Sequence, residues 1–251
     1  MTYVAEELFE GEHYLGKPAD ATDRIITRRV DLVKAIPGFC DKNLDLLEIG
    51  CGNGASLLLL QSHMKSCFGV DIFDHTASFK KEIAARGITN CEIAIRNMET
   101  EDIDRKFDRL ICFEVIEHFN DDASVSRFHR WLKPNALCAI SVPNKWWIFE
   151  THGARLPLLP WNRVPFFSWL PTFIHERWAN ARIYTRDRIV KLLENNGFEI
   201  MDVQYITAPM DVLKESGLKR FLLKHIFNSD TTTLPIKSTS IFIVAKSKQT
   251  A

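Results

Sequence analysis

The sequence predicts an α/β fold: a mostly parallel sheet with helices on both faces and an antiparallel last strand. Three observations carry that prediction. Short apolar runs alternate with longer amphipathic ones along most of the chain, the pattern of strand–helix–strand units. The first strong apolar run, Leu44–Ile49, passes directly into the glycine-rich turn Gly50-Cys-Gly-Asn-Gly54 and then into a leucine-rich helical stretch. The 251 residues are 46% hydrophobic, enough for a substantial core and suited to one domain with decorations.

Residues 1–43 read as an N-terminal helical extension. Asp20 or Thr22 is placed to cap a helix that carries Ile25, Ile26, Leu32, Val33 and Ile36 on its apolar side and stops at Pro37-Gly38. Residues 44–251 form the main domain. Its strands are expected at 44–49, 67–72, 91–95, 107–113, 136–142, 198–206 and 240–245, about seven in all. Helices are expected at 55–63, 76–86, 122–132, 186–196 and 212–226. Gly87 and Gly197 stop two of them, and Lys133-Pro134-Asn135 makes a turn after a third. One segment breaks the rhythm. Residues 143–184 hold five of the six tryptophans and half of the ten prolines, with no clear period. So long a connection within a compact domain is usually a lid or binding loop, here a substrate-covering insert.

Charge and cysteine content exclude several classes. The 32 basic and 32 acidic side chains cancel, which argues against bulk nucleic-acid binding through many phosphate contacts. No run approaches the ~18 consecutive apolar residues that span a bilayer, and the polar, acidic start MTYVAEELFEGEH shows no targeting signal, so a cytoplasmic protein is expected. The six cysteines contain no CxxC pair and fit reduced thiols, with Cys91, Cys112 and Cys138 inside strands.

The glycine turn carries the chemistry. Three alternating glycines between a strand and a helix let the backbone turn sharply and let a ligand approach it closely. Asp71, seventeen residues past Gly54, ends the second strand where a carboxylate accepts hydrogen bonds from a ribose diol. Gly50-x-Gly52-x-x-Ala55 also fits the looser dinucleotide pattern, so a nicotinamide-dependent oxidoreductase is the competing class. Glu48 separates the two readings: two residues before the first glycine, an acid sits badly beside a pyrophosphate and well beside an ammonium.

The run Glu48-x-Gly50-x-Gly52-x-Gly54 followed by Asp71 resembles the class I S-adenosylmethionine-dependent methyltransferases, whose fold is Rossmann-like. Arg96-Asn-Met-Glu99 is similar to their adenine-contacting segment, which usually has Asp where Asn97 stands. Phe107–His118, Trp131–Ala136 and Ile140–Asn144 also resemble segments of that family, with Asn135 and Ala136 in place of two glycines. The resemblance implies S-adenosylmethionine as cofactor. It implies that Glu48, Gly50, Cys51, Gly52 and Gly54 hold its methionine end, with Glu114 close by. Asp71 would hold the ribose, Ile72 would pack on the adenine, and Asn97 and Met98 would touch its edge; plain core packing is the other reading of Ile72 and Met98.

Methyl transfer from a sulfonium is a direct displacement, so a hydroxyl acceptor needs its proton removed or weakened by a base or a metal. Glu114, Glu117 and His118 are spaced i, i+3, i+4, which on a helix gives one shared face. This E-x-x-E-H arrangement is similar to that of ubiquinone-biosynthesis O-methyltransferases, where it belongs to a metal site. On that resemblance Glu114, Glu117, His118 and a later histidine, His175, would ligate a divalent ion. Without a metal, His118 assisted by Glu117 is a base or a substrate-positioning group, and His152 is a second candidate base. The aromatic insert points to a hydrophobic or ring-bearing small-molecule acceptor, with Arg155, Arg163, Arg177 and Arg182 available for an anionic group. O-methylation is the leading reading, and N- or C-methylation of a lipid-linked saccharide or natural product the runner-up. The basic amphipathic stretch 212–226 reads either as a core-facing helix with solvated lysines or as a transient contact with an anionic membrane surface.

Overall fold

The computed structural model describes residues 21–154, 165–210, 213 and 215–248. They fall into two compact units, the first from 21–141, 190–203 and 243–248, the second from the described parts of 142–189 and 204–242. Asp20, Val212, Arg155 and Arg163 lie outside the described residues. Among the described residues no helix is long and apolar enough to cross a membrane.

In chain order the elements are α1 (Arg24–Ala35), β1 (Asp45–Ile49), α2 (Ala55–Leu60), β2 (Ser66–Asp71), α3 (Thr76–Ala85), β3 (Cys91–Ile95), β4 (Phe107–Phe113), β5 (Leu132–Pro143), α4 (Thr172–Trp178), α5 (Arg186–Asn195), β6 (Phe198–Thr207), α6 (Gly217–His225), β7 (Thr231–Thr232) and β8 (Ser238–Ser247). The sheet has eight strands in the order β3-β2-β1-β4-β5-β8-β6-β7. The expected α/β fold is present, with one strand more than the seven anticipated. The extra strand is β7, two residues of threonine paired antiparallel to Tyr205 and Ile206 of β6, too short to leave an alternating signature. β1 pairs in parallel with β2 and β4, and β2 with β3. Leu46, Leu47 and Ile49 are buried because helices cover both faces of a parallel sheet.

Local departures have physical causes. The N-cap of α1 is Asp23, not Asp20 or Thr22, and the helix buries Arg28 and Arg29 together with Ile26, Val30 and Val33, while Leu32 and Ile36 are only half-buried. The helix expected at 122–132 is a 3-10 helix, Asp122–Arg130. At three residues per turn Ser124, Arg127 and Arg130 line one side. There Ser124 donates to Glu99 at 2.9 Å, Arg127 to the Met98 carbonyl at 3.0 Å, and Arg130 pairs with Asp102 at 2.7 Å. A 3.6-residue period would not keep that row aligned. β5 then starts at Leu132, ahead of the expected turn, because Asn135 takes φ +61° and lets the strand pass through an irregular register opposite Phe107 and Arg109. α6 begins at Gly217, five residues later than expected, where the Ser216 hydroxyl accepts the Lys219 amide at 3.1 Å.

The described residues of the insert contain local structure. They include a 3-10 turn at Phe167–Trp169, α4, and isolated bridges of Asn144 with Tyr184 and Phe149 with Pro165. Trp147 is buried against Ala208 and Phe227, with Phe149, Met210, Leu222 and Leu223 around it. Its carbonyl accepts the Ser168 hydroxyl at 2.9 Å and the Trp169 indole N–H at 3.2 Å.

Candidate active site

The glycine turn is held from behind by β2. The amides of Gly50 and Cys51 both donate to the Val70 carbonyl, at 2.8 and 3.1 Å. Asp71 Oδ2 accepts the Gly52 amide at 2.7 Å, and Oδ1 accepts the Phe73 amide at 3.0 Å. Each oxygen keeps a lone pair for a further donor. Gly50 and Gly54 have φ of +72° and +80°. A Cβ at Gly50 would run into Val115, and one at Gly54 into the Phe79 ring. Glycine is therefore required at both positions by conformation and by space. Cys51 is buried against Gly69, so it offers the turn its backbone and not its thiol; burial pushes that thiol well above its ordinary range.

Glu48 is 3% exposed, and its Oε2 has no hydrogen-bond partner. Burial pushes its pKa up to about 8; a hydrogen bond to Ser56 lowers it, the Asp71 charge raises it, and Arg29 lowers it. A buried carboxyl with one unpartnered oxygen is chemically suited to accept from a cationic donor. Beyond the end of β2, Ile72 is 48% exposed, an apolar platform beside the Asp71 carboxylate. The Asp71 carbonyl accepts the Arg96 amide at 2.8 Å, which brings the turn at 96–99 to the same strand end. Asn97 is exposed there, its Oδ1 accepting the Glu99 amide at 3.0 Å, whereas Met98 is buried in the core.

The third group lies after β4. Glu114 has φ +56°, so it cannot begin a helix, and only Ile116–His118 form a single 3-10 turn. The expected shared face of Glu114, Glu117 and His118 does not exist. The Glu114 carboxylate instead pairs with Arg29 of α1 at 2.9 Å and accepts the Ser141 hydroxyl at 2.9 Å. Arg29 was legible only as part of an amphipathic helix; a basic residue on the buried side was the available signal. Glu117 is buried and His118 half-buried. Glu48, Glu114 and Glu117 all lie near Cys112, whose thiol burial and these carboxylates push upward.

The other candidates belong to the second unit. His175 is fully buried, its Nε2 2.6 Å from Glu150 Oε2, with its ring 5.0 Å from that of Phe167. Glu150 Oε1 accepts the His152 amide at 3.0 Å, and the His152 ring contacts the Thr151 hydroxyl at 3.0 Å. The anticipated ligands Glu114, Glu117 and His118 belong to the first unit and His175 to the second. Within the first unit the Glu114 carboxylate is already engaged by a guanidinium and a hydroxyl.

A model of the methyltransferase domain family matches residues 20–203, and the chain belongs to that family. A probable S-adenosylmethionine-dependent methyltransferase of Mycolicibacterium smegmatis is 29% identical over 185 residues, 72% of this chain and 60% of that protein. A ubiquinone biosynthesis O-methyltransferase of Bradyrhizobium is 28% identical over 65% of this chain and 61% of its own length. The chain thus spans about three fifths of these curated relatives. The fold is that of S-adenosylmethionine-dependent methyltransferases. One from Mesorhizobium loti superposes with a TM-score of 0.60 at 13% identity, over 87% of this chain and 97% of that one. A Burkholderia thailandensis N1-methyltransferase, crystallised with 1,6-didemethyltoxoflavin and S-adenosylhomocysteine, gives 0.59 at 15% identity, over 91% and 80%.

Proposed function

We propose that this chain moves a methyl group from S-adenosylmethionine to a hydroxyl of a hydrophobic or ring-bearing small molecule. The observation that carries the cofactor half is Glu48, a buried carboxyl with an unpartnered oxygen behind a glycine turn tied to Asp71. Glu48 and the amides of the turn would hold the amino-acid end, Asp71 the ribose, Ile72 the adenine face and Asn97 its edge. When bound, the sulfonium supplies an electrophilic methyl group and a neutral thioether leaving group. His118 is assigned the acceptor's proton, with buried Glu117 beside it in sequence as its positioning partner. His152 is the second candidate for that proton.

The hydroxyl assignment is supported by relatives named as ubiquinone O-methyltransferases and by the presence of two candidate imidazole bases, His118 and His152. The aromatic insert supports an apolar acceptor. Calorimetry with S-adenosylhomocysteine and NAD tests the cofactor: the first should bind and the second should not. Incubation with isotope-labelled methyl donor and a metabolite extract, read by mass spectrometry, tests the acceptor. A labelled product bearing the methyl on nitrogen or carbon would overturn the hydroxyl assignment while leaving the cofactor intact.

A further inference from the structure

Helix α6 has no buried residue. Leu222 and Leu223 rest on the cluster around Trp147 and Phe227, which fixes the inner side of the helix. Outside that contact the helix presents Leu218 and Phe221, 57% and 55% exposed, together with exposed Arg220 and Lys224. His225 extends this set, its ring 4.8 Å from that of Phe221. Between Gly217 and Ile226 there is no acidic residue. A water-facing helix side normally mixes both signs and keeps large apolar groups inward, so this one is built for a partner that is apolar within and anionic at its surface.

A second outcrop of the same unit has the same character. Trp146, Phe166 and Trp169 form an edge-packed exposed set, with ring centroids 6.4 and 5.0 Å apart, and Phe173 nearby in sequence is 77% exposed. Trp169 is pinned to the Trp147 carbonyl, and the Trp147 ring packs on Phe227 at 6.3 Å. One buried tryptophan therefore fastens the aromatic outcrop and the α6 seat. Tryptophan is the side chain best suited to the headgroup level of a bilayer.

We propose that α6 docks this protein on an anionic lipid bilayer surface, with Leu218 and Phe221 entering the headgroup–acyl boundary and Arg220 and Lys224 meeting the lipid charges. The contact is peripheral and reversible, and it does not depend on the identity of the methyl acceptor. The test is co-sedimentation of the full chain with vesicles of phosphatidylcholine alone and of phosphatidylcholine mixed with phosphatidylglycerol. The chain should partition onto the mixed vesicles and much less onto the neutral ones. Leu218→Ala with Phe221→Ala should lower the partition coefficient by roughly tenfold or more. Arg220→Gln and Lys224→Gln should each lower it about fivefold. The four side chains are exposed, so S-adenosylhomocysteine binding should be unchanged, which separates this outcome from failure of the cofactor reading. Absence of partition onto anionic vesicles would overturn the proposal, as would equal partition onto neutral ones. So would binding that survives both pairs of substitutions. Sedimentation showing a dimer that the same substitutions dissociate, without vesicle binding, would assign the face to a second copy instead.

Discussion

Glu48 is where the site's electrostatics concentrate. Its folded pKa of about 8 lies above its ordinary value of 4.5 because burial disfavours the charge. The folded chain therefore holds a proton that the unfolded chain has lost between those limits. Stability from this group is full below about pH 4.5 and declines as pH rises towards 8, by on the order of a few kcal/mol. Glu48→Gln should flatten that decline in thermal melts of the ligand-free protein, and should weaken S-adenosylhomocysteine binding by ~100-fold through loss of the charge-assisted contact. In the wild type, part of the binding should couple to proton release from Glu48 below pH 8, visible as a buffer-dependent enthalpy. An enthalpy independent of buffer would remove Glu48 from the cofactor contact. Gly54→Ala forces φ +80° on a residue with a Cβ and drives that atom into Phe79, so a loss of at least ~2 kcal/mol in denaturant unfolding is expected.

At the scale of elements, α1 contributes to the site as well as to the core. Arg29 on its buried side neutralises Glu114, and the pair has side-chain exposures of only 9% and 18%. Arg29→Leu strands that carboxylate in a poorly hydrated place, and a cost of about 3 kcal/mol is expected in chemical denaturation. The double change Arg29→Leu with Glu114→Gln should recover much of it; a strictly additive pair would show that the two side chains do not interact. The insert is organised around Glu150 and His175. His175→Leu should loosen the segment that carries His152, seen as faster amide exchange at His152 and Gly153, whose neighbouring carbonyl and amide are held by Asn180 and Glu150. Unchanged exchange there would show that the pair does not order that segment.

At the scale of the whole molecule, the fold and the glycine turn make a platform on which S-adenosylhomocysteine should act as a stabiliser. At a ligand concentration of about one hundred times Kd, stabilisation of ~2.7 kcal/mol and a Tm increase of roughly 5–10 °C are expected, with no increase from NAD. The zero net charge does not oppose the proposed membrane contact, because Gly217–Ile226 carries three Lys and Arg residues and no acidic one. Charge balance alone says nothing of where charges are placed.

The strand–helix alternation, the glycine turn and Asp71 are contiguous in sequence, and their local periodicity and spacing determined the platform and its cofactor chemistry before any contact was known. Glu48 was legible as a candidate for the same reason, being two residues from the glycine turn. The tertiary structure alone decided the rest. The Arg29–Glu114 pair joins residues 85 positions apart, and no local pattern specifies such a partner. The positive φ of Glu114 dissolved a helical face that spacing had suggested, since spacing presumes a backbone conformation that the side chain's partners override. The 3-10 row of Ser124, Arg127 and Arg130 and the burial of His175 on Glu150 were likewise set by what lies across from them. Sequence periodicity reports the solvent-facing and core-facing sides of an element; which charge meets which is a property of the packed chain.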